Sequence, residues 1–195
     1  MKTVFVDVDS QLDFLYPAGA LYVPGAERVV PAIGRLNRFA VEHSIPVIST
    51  ADAHAENDPE FANWPPHCIS GTTGQHKAER TLLETRVVIP NRECDFSLDG
   101  AQQIIVEKQT TDVFLTRNVN RVIERLEADR FVVYGVVTEI CVLFAARGLL
   151  KAGKQVTIVT DAVQTLKAED SARALAEVCA SGGKLATLAQ VIDVM

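Results

Sequence analysis

Apolar positions along this chain fall into two alternating patterns. Short, nearly continuous runs rich in β-branched residues predict strands at Thr3 to Val8 (TVFVDV), Ile45 to Thr50 (IPVIST) and Gln103 to Lys108 (QIIVEK). Three more follow at Arg130 to Val137 (RFVVYGVV), Gln155 to Thr160 (QVTIVT) and Lys184 to Leu188 (KLATL). Between them, helical spacing predicts helices near Ala26 to His43, Val119 to Ala128, Glu139 to Ala152 and Ala168 to Ser181. Glycines in LKAGKQV and CASGGK close the last two. Strands this uniformly apolar suit a parallel sheet covered on both faces. The βαβ rhythm therefore predicts an α/β fold, a three-layer sandwich around a central, mostly parallel sheet of about six strands.

No internal repeat, low-complexity tract or linker interrupts the rhythm, so residues 1–195 read as a single domain. Two irregular stretches stand out, from Ala51 to about Arg80 and from about Pro90 to Gly100. Long loops inside compact domains are usually functional. In open α/β sheets, ligands sit outside the carboxyl ends of the strands. Asp9, Asp52, Lys108 and the turn from Val137 to Cys141 all lie just past predicted strand ends. That shared address marks a site.

Composition narrows the partners. The formal net charge is -6, from 19 Lys plus Arg against 25 Asp plus Glu. With no basic block, the chain has no electrostatic footprint for nucleic acid or an anionic membrane. No apolar run reaches the roughly 18 to 20 residues that a membrane span needs. The start, MKTVFVDVDS, reads as a strand and not as a signal peptide. Cys68, Cys94, Cys141 and Cys179 are widely spread with no C-x-x-C pair, which fits a cytoplasmic protein with reduced thiols.

Cys141 is placed where an apolar strand gives way to a helix pattern (YGVVTEICVLFAARGLL). It reads either as a small core residue or as a nucleophile at a helix start. An ordinary cysteine titrates near pH 8.5, so a pKa near 7 requires about 2 kcal/mol of preferential anion stabilisation. A helix N-terminus supplies typically about 0.3 to 1 kcal/mol. A nucleophile here therefore wants a nearby cation or proton acceptor, and Lys108 and Asp9 are available for those roles. Asp7, on the same strand as Asp9, reads as buried structure or as support for the site. Phe14 reads as core or as an apolar cleft wall. In TADAHAENDPEFANWPPHC, Asp52 and His54 can reach one point, and His67 follows on a stretch stiffened by two prolines. Asp and His suit zinc, iron or manganese, with Glu60 or Asp58 between them as a possible further ligand. The bland reading is a polar loop with surface histidines. His43 and His76 lack such company and read as solvated.

These motifs resemble the isochorismatase-like cysteine hydrolases, and among them the nicotinamidases, over nearly the whole chain. VDSQLDF is similar to the family's V-D-x-Q-x-D-F, DAH and WPPHC to its metal loop, and the EK at 107–108 and GVVTEICV to its remaining catalytic blocks. The resemblance implies Cys141 as nucleophile, Asp9 as general base and Lys108 as the third triad member. It implies an oxyanion hole from the backbone N–H groups of Val137 and Cys141, with a cis peptide between Val136 and Val137. It implies one divalent metal, zinc foremost with Fe2+ or Mn2+ as alternatives, on Asp52, His54 and His67. Where some nicotinamidases place another histidine this chain offers only Asp58 and Glu60, and Glu60 is favoured to complete the shell. Phe14 and Trp64 would flank the substrate. The implied activity converts nicotinamide to nicotinate and ammonia through a thioester, and the implied assembly is a homo-oligomer. KQTTDVF carries no aromatic residue between Lys108 and Phe114. That leaves another small amide open as substrate.

Overall fold

The computed structural model describes residues 1–194. Seven strands, β1 (Thr3–Val8), β2 (Val47–Asp52), β3 (Arg86–Ile89), β4 (Gln103–Lys108), β5 (Arg130–Val136), β6 (Gln155–Gln164) and β7 (Lys184–Ala186), form one sheet. Their order is β3-β4-β2-β1-β5-β6-β7, and every pairing is parallel. The sequence pattern gives six of these strands. The seventh, β3, is four residues long at the sheet edge, with Arg86 and Val88 exposed. Its apolar run, Val87 to Ile89, is only three residues long and half exposed, too short to stand out as a strand.

Six helices complete the layers: α1 (Leu12–Leu15), α2 (Val30–Glu42), α3 (Val119–Leu126), α4 (Leu143–Lys151), α5 (Ala168–Ala180) and α6 (Leu188–Val194). Side chains alternate across a strand. Val4, Val6 and Val8 of β1 therefore pack with α3, α4 and α5 on one face, while Phe5 packs with α2 and α6 on the other. The predicted helix from Ala26 instead opens with a 3-10 turn at Ala26–Arg28, and α2 proper begins at Val30. Pro31 sits in its first turn, where a missing N–H costs nothing. None of the helices described is long and apolar enough to cross a membrane.

Asp7 belongs to the buried structure. It is fully enclosed and lies 3.4 Å from Lys77, with Ser49 Oγ (3.1 Å) and Asn37 Nδ2 (3.3 Å) donating to its carboxylate.

The connectivity decides where the site lies. From β1 the chain builds β2, β3 and β4 on one side, and then α3 carries it to β5 on the other side of β1. A sheet whose winding reverses opens a crevice at the carboxyl ends of the strands beside the reversal. Those ends deliver Asp9 after β1 and the Cys141 turn after β5. Asp52 and Lys108 end β2 and β4 as register partners.

Candidate active site

Asp9 leaves β1 with φ 47°, in the left-handed region. Thr50 holds it there: Thr50 Oγ1 donates to Asp9 Oδ1 at 2.6 Å, and the Asp9 N–H donates to the Thr50 carbonyl at 3.2 Å. Lys108 Nζ lies 2.9 Å from Asp9 Oδ2, contacts Asp52 Oδ1, and is 3.8 Å from Cys141 Sγ. Asp9 and Lys108 are each 1% exposed. Burial alone would discharge the lysine, but Asp52 and Asp9 outweigh it and hold the ammonium well above its ordinary pKa. Three segments distant in sequence thus meet at one point.

Cys141 differs from expectation in two respects. It lies in a π-helical turn, Thr138–Val142, that precedes α4, and not in the first turn of a regular helix. The Ile140 and Val142 N–H groups both donate to the Val137 carbonyl, and Leu143 N–H reaches back to Thr138 and Ile140. Such bulges concentrate at functional sites. The Val136–Val137 peptide is cis. Second, the thiol is not poised as an anion. Burial pushes its pKa up; Lys108 opposes this, while the Asp9 and Asp52 carboxylates reinforce it. Lys108 is the strongest single charge acting on the sulfur, but burial and the two carboxylates together outweigh it. Asp9, within hydrogen-bonding reach of the sulfur, is placed where it can accept the thiol proton.

The loop after β2 brings the remaining groups inward. Asp52, His54 and His67 cluster with ligand-type atoms within 4.8 Å of one another, and all three are buried. His67 Nδ1 lies 2.7 Å from the Pro65 carbonyl, which fixes its proton there and leaves Nε2 facing Asp52 at 3.6 Å. His54 Nε2 faces the same carboxylate at 3.8 Å, and its Nδ1 lies 3.1 Å from Asp58. His54 Nε2 and Glu60 Oε2 are buried with no hydrogen-bond partner. Glu60 clusters with His54 and Asp58, ligand-type atoms again within 4.8 Å, and such unpaired buried atoms fit a divalent cation, because lone pairs that lack donors are costly unless a cation takes them. Burial would raise the Asp52 carboxyl, but Lys108 and the two histidines hold it well below the usual carboxylate range. Burial, then Asp52, raises Glu60. Cys68 is a bystander: its Sγ faces the Gly74 carbonyl at 3.9 Å, and burial pushes its thiol far up. His43 and His76 are exposed, as expected.

A cleft of about 430 Å³, including its open mouth, connects the two groups. Cys141 and Val137 line it alongside Asp52, Glu60 and His67, and Phe14 and Trp64 contribute walls. Phe14 packs its ring 5.3 Å from that of His67. The sequence reading did not pick out Gln11, which clamps the Asp52 backbone: its Oε1 accepts from Asp52 N–H (2.7 Å) and its Nε2 donates to the Asp52 carbonyl (2.8 Å). Thr50 was likewise not picked out. Asp13 ties the metal loop down, accepting from the Cys68 N–H at 2.7 Å.

Known proteins resemble this chain over nearly its whole length. The nicotinamidase of Escherichia coli K12 is 27% identical, with 93% of each chain covered. The structure of Pyrococcus horikoshii pyrazinamidase in complex with zinc superposes with a TM-score of 0.80 at 28% identity, covering 96% of this chain and 99% of that one. An isochorismatase-like hydrolase from Alkaliphilus metalliredigens shares the fold at a TM-score of 0.85 and 21% identity, covering 100% and 99%. The isochorismatase domain family matches from residue 3 to residue 190, and the chain belongs to that family.

Proposed function

We propose that this isochorismatase-family hydrolase is a cysteine amidohydrolase, built as one catalytic domain, that converts nicotinamide to nicotinate and ammonia. The observation that carries the reading is the meeting of Lys108 with Asp9 (2.9 Å) and Cys141 (3.8 Å) at a cleft shared with Asp52 and His67. The Cys141 sulfur attacks the carboxamide carbon as its proton passes to the Asp9 carboxylate, and the C=O electron pair moves to oxygen. The Val137 and Cys141 backbone N–H groups receive that oxyanion. Collapse expels ammonia, which leaves with the proton from Asp9, and a thioester remains. Asp9 then takes a proton from water as it attacks the thioester, and the thiol leaves reprotonated with the free acid. The Lys108 ammonium, 2.9 Å from Asp9 Oδ2, holds that carboxylate in place between steps. Asp52, His54 and His67, with Glu60, would hold a divalent ion, zinc foremost. When bound, the ion supplies a Lewis-acidic contact that orients the pyridine nitrogen. Phe14 and Trp64 exclude water and flank the ring.

One observation favours a second reading. Thr111, and no aromatic residue, supplies the cleft wall from the segment after Lys108, which leaves room for a different small amide. The test is ammonia release from nicotinamide by purified protein with and without chelator. Wild type should release ammonia and Cys141→Ala should release none while melting normally. Turnover surviving in Cys141→Ala removes the mechanism. Turnover of other amides alone, indifferent to chelator, selects the second reading.

A further inference from the structure

We propose that Glu139 is a positioning residue that fixes Leu166 as an apolar wall of the substrate cleft. The proposal rests on the amidohydrolase reading above. Leu166 lines the same cleft as Cys141 and Trp64, and 44% of it is open to solvent. It sits between the end of β6 at Gln164 and the start of α5 at Ala168, where no strand or helix ladder holds it. Glu139 holds it instead. Its carboxylate accepts from Thr165 Oγ1 (2.7 Å), from the Leu166 N–H (2.9 Å) and from the Lys167 N–H (3.1 Å). Hydrogen bonds to an ionised acceptor are roughly twice as strong as neutral ones. The preceding residue works to the same end: Thr138 Oγ1 donates to the Gln164 carbonyl at 2.9 Å. Gln164 Nε2 in turn donates to the Pro24 carbonyl at 2.7 Å, beside Val23, another residue of the cleft. The two residues that open the Cys141 turn are thus committed to holding the segment that presents Leu166 to the cleft. Glu139 itself does not line the cleft, so it acts through Leu166.

Glu139 also lies at the N-terminal end of α5, where a carboxylate stabilises a helix whatever the cleft does. The experiment separates the two roles. Steady-state hydrolysis of the amide that wild type turns over is measured for Glu139→Ala, Glu139→Gln, Leu166→Ala and the Glu139→Ala/Leu166→Ala double variant, with melting temperatures alongside. Leu166→Ala should raise KM about tenfold, equivalent to about 1.4 kcal/mol, with kcat held within about twofold. Glu139→Ala should raise KM similarly, and the double variant should exceed neither by more than about twofold, because the two act as one unit. Glu139→Gln, whose carbonyl oxygen still accepts both amides, should stay within about threefold of wild type. An unchanged KM in Glu139→Ala, a multiplicative double variant, or a loss confined to kcat or to melting temperature overturns the proposal. Should Glu139→Ala fail to fold, Thr165→Val removes one of the bonds and should raise KM about threefold; no rise overturns the proposal equally. A wild type that releases ammonia from no small carboxamide overturns the amidohydrolase reading and this inference together, whereas active wild type with unresponsive variants overturns this inference alone.

Discussion

His54 has a carboxylate beside each ring nitrogen, Asp58 at 3.1 Å from Nδ1 and Asp52 at 3.8 Å from Nε2. Reading the loop as a string of donors shows how many carboxylates it contains, and not which way each points. That is why Asp58 and Glu60 compete as ligands in sequence and stay together in space: ligand-type atoms of both lie within 4.8 Å of one another and of His54, with Asp58 beside Nδ1 and Glu60 leaving a buried oxygen unpaired beside the cleft. Outer partners of a ligating histidine commonly contribute 10- to 100-fold in metal affinity. Asp58→Ala should weaken zinc binding by about that factor, read by competition with a chromophoric chelator, and unchanged affinity would remove Asp58 from this role. Gln11 stands at the Q of the V-D-x-Q-x-D-F motif, but its role was illegible for a different reason. A lone glutamine has no reactive chemistry, and its importance comes from a buried fit to both backbone groups of Asp52 and to the Gln75 carbonyl at 2.7 Å. Each buried group left unpaired costs about 1–3 kcal/mol. Gln11→Ala should therefore lower unfolding free energy by at least about 2 kcal/mol and weaken metal binding, because Asp52 loses its clamp. A variant as stable as wild type in urea unfolding contradicts that account.

At the scale of elements, the strands that carry the site were the legible ones. β1, β2, β4 and β5 are central, buried on both faces and each carries a short apolar run, so their ends could be located and their terminal residues assigned to one rim. The turn after β5 was less legible. A helix pattern starting at Glu139 does not distinguish a π turn from an α turn, because both place apolar side chains inward. Gly135, at φ 119°, shows what backbone position dictates there: a Cβ would collide with the Val8 carbonyl of β1. Close approach also decides the outcome at Gly34 in α2, where two effects compete. Replacing an interior helix glycine by alanine gains up to about 1 kcal/mol in propensity. The new Cβ, however, would stand 2.5 Å from the Arg80 carbonyl oxygen, a backbone atom that cannot rotate away. The segment holding Arg80 is anchored to the same helix by Asn37 Nδ2, which donates to the Thr81 carbonyl at 2.6 Å. Overpacking typically costs about 1–3 kcal/mol. Gly34→Ala should therefore be destabilising on balance, by about 1 kcal/mol or more in urea unfolding, and a stabilised variant would show that α2 moves freely over this segment.

For the whole molecule, the cluster at the sheet's rim couples folding, protons and metal. Burial tends to neutralise His54, but Asp52 and Asp58 outweigh it and raise its pKa above 6.5 in the metal-free fold. A group whose pKa is raised on folding binds its proton more tightly in the native state. Its stabilisation is complete below the unfolded value of about 6.5 and fades as pH rises through the folded value. Metal binding runs the other way. Ligation needs neutral imidazole, so metal must displace that proton, and affinity climbs with pH across the same window. Metal that binds only the native state raises stability by RT ln(1 + [L]/Kd). The melting temperature of chelator-treated protein should thus drift down from about pH 6 to about pH 8, while the gap between zinc-loaded and metal-free protein widens. Groups distant from the cluster titrate alike in both forms and cancel in that gap, so the gap isolates the site. His54→Ala should flatten its pH dependence. A gap that stays constant, or narrows as pH rises, would mean that His54 neither holds its extra proton in the metal-free fold nor gives it up to the ion.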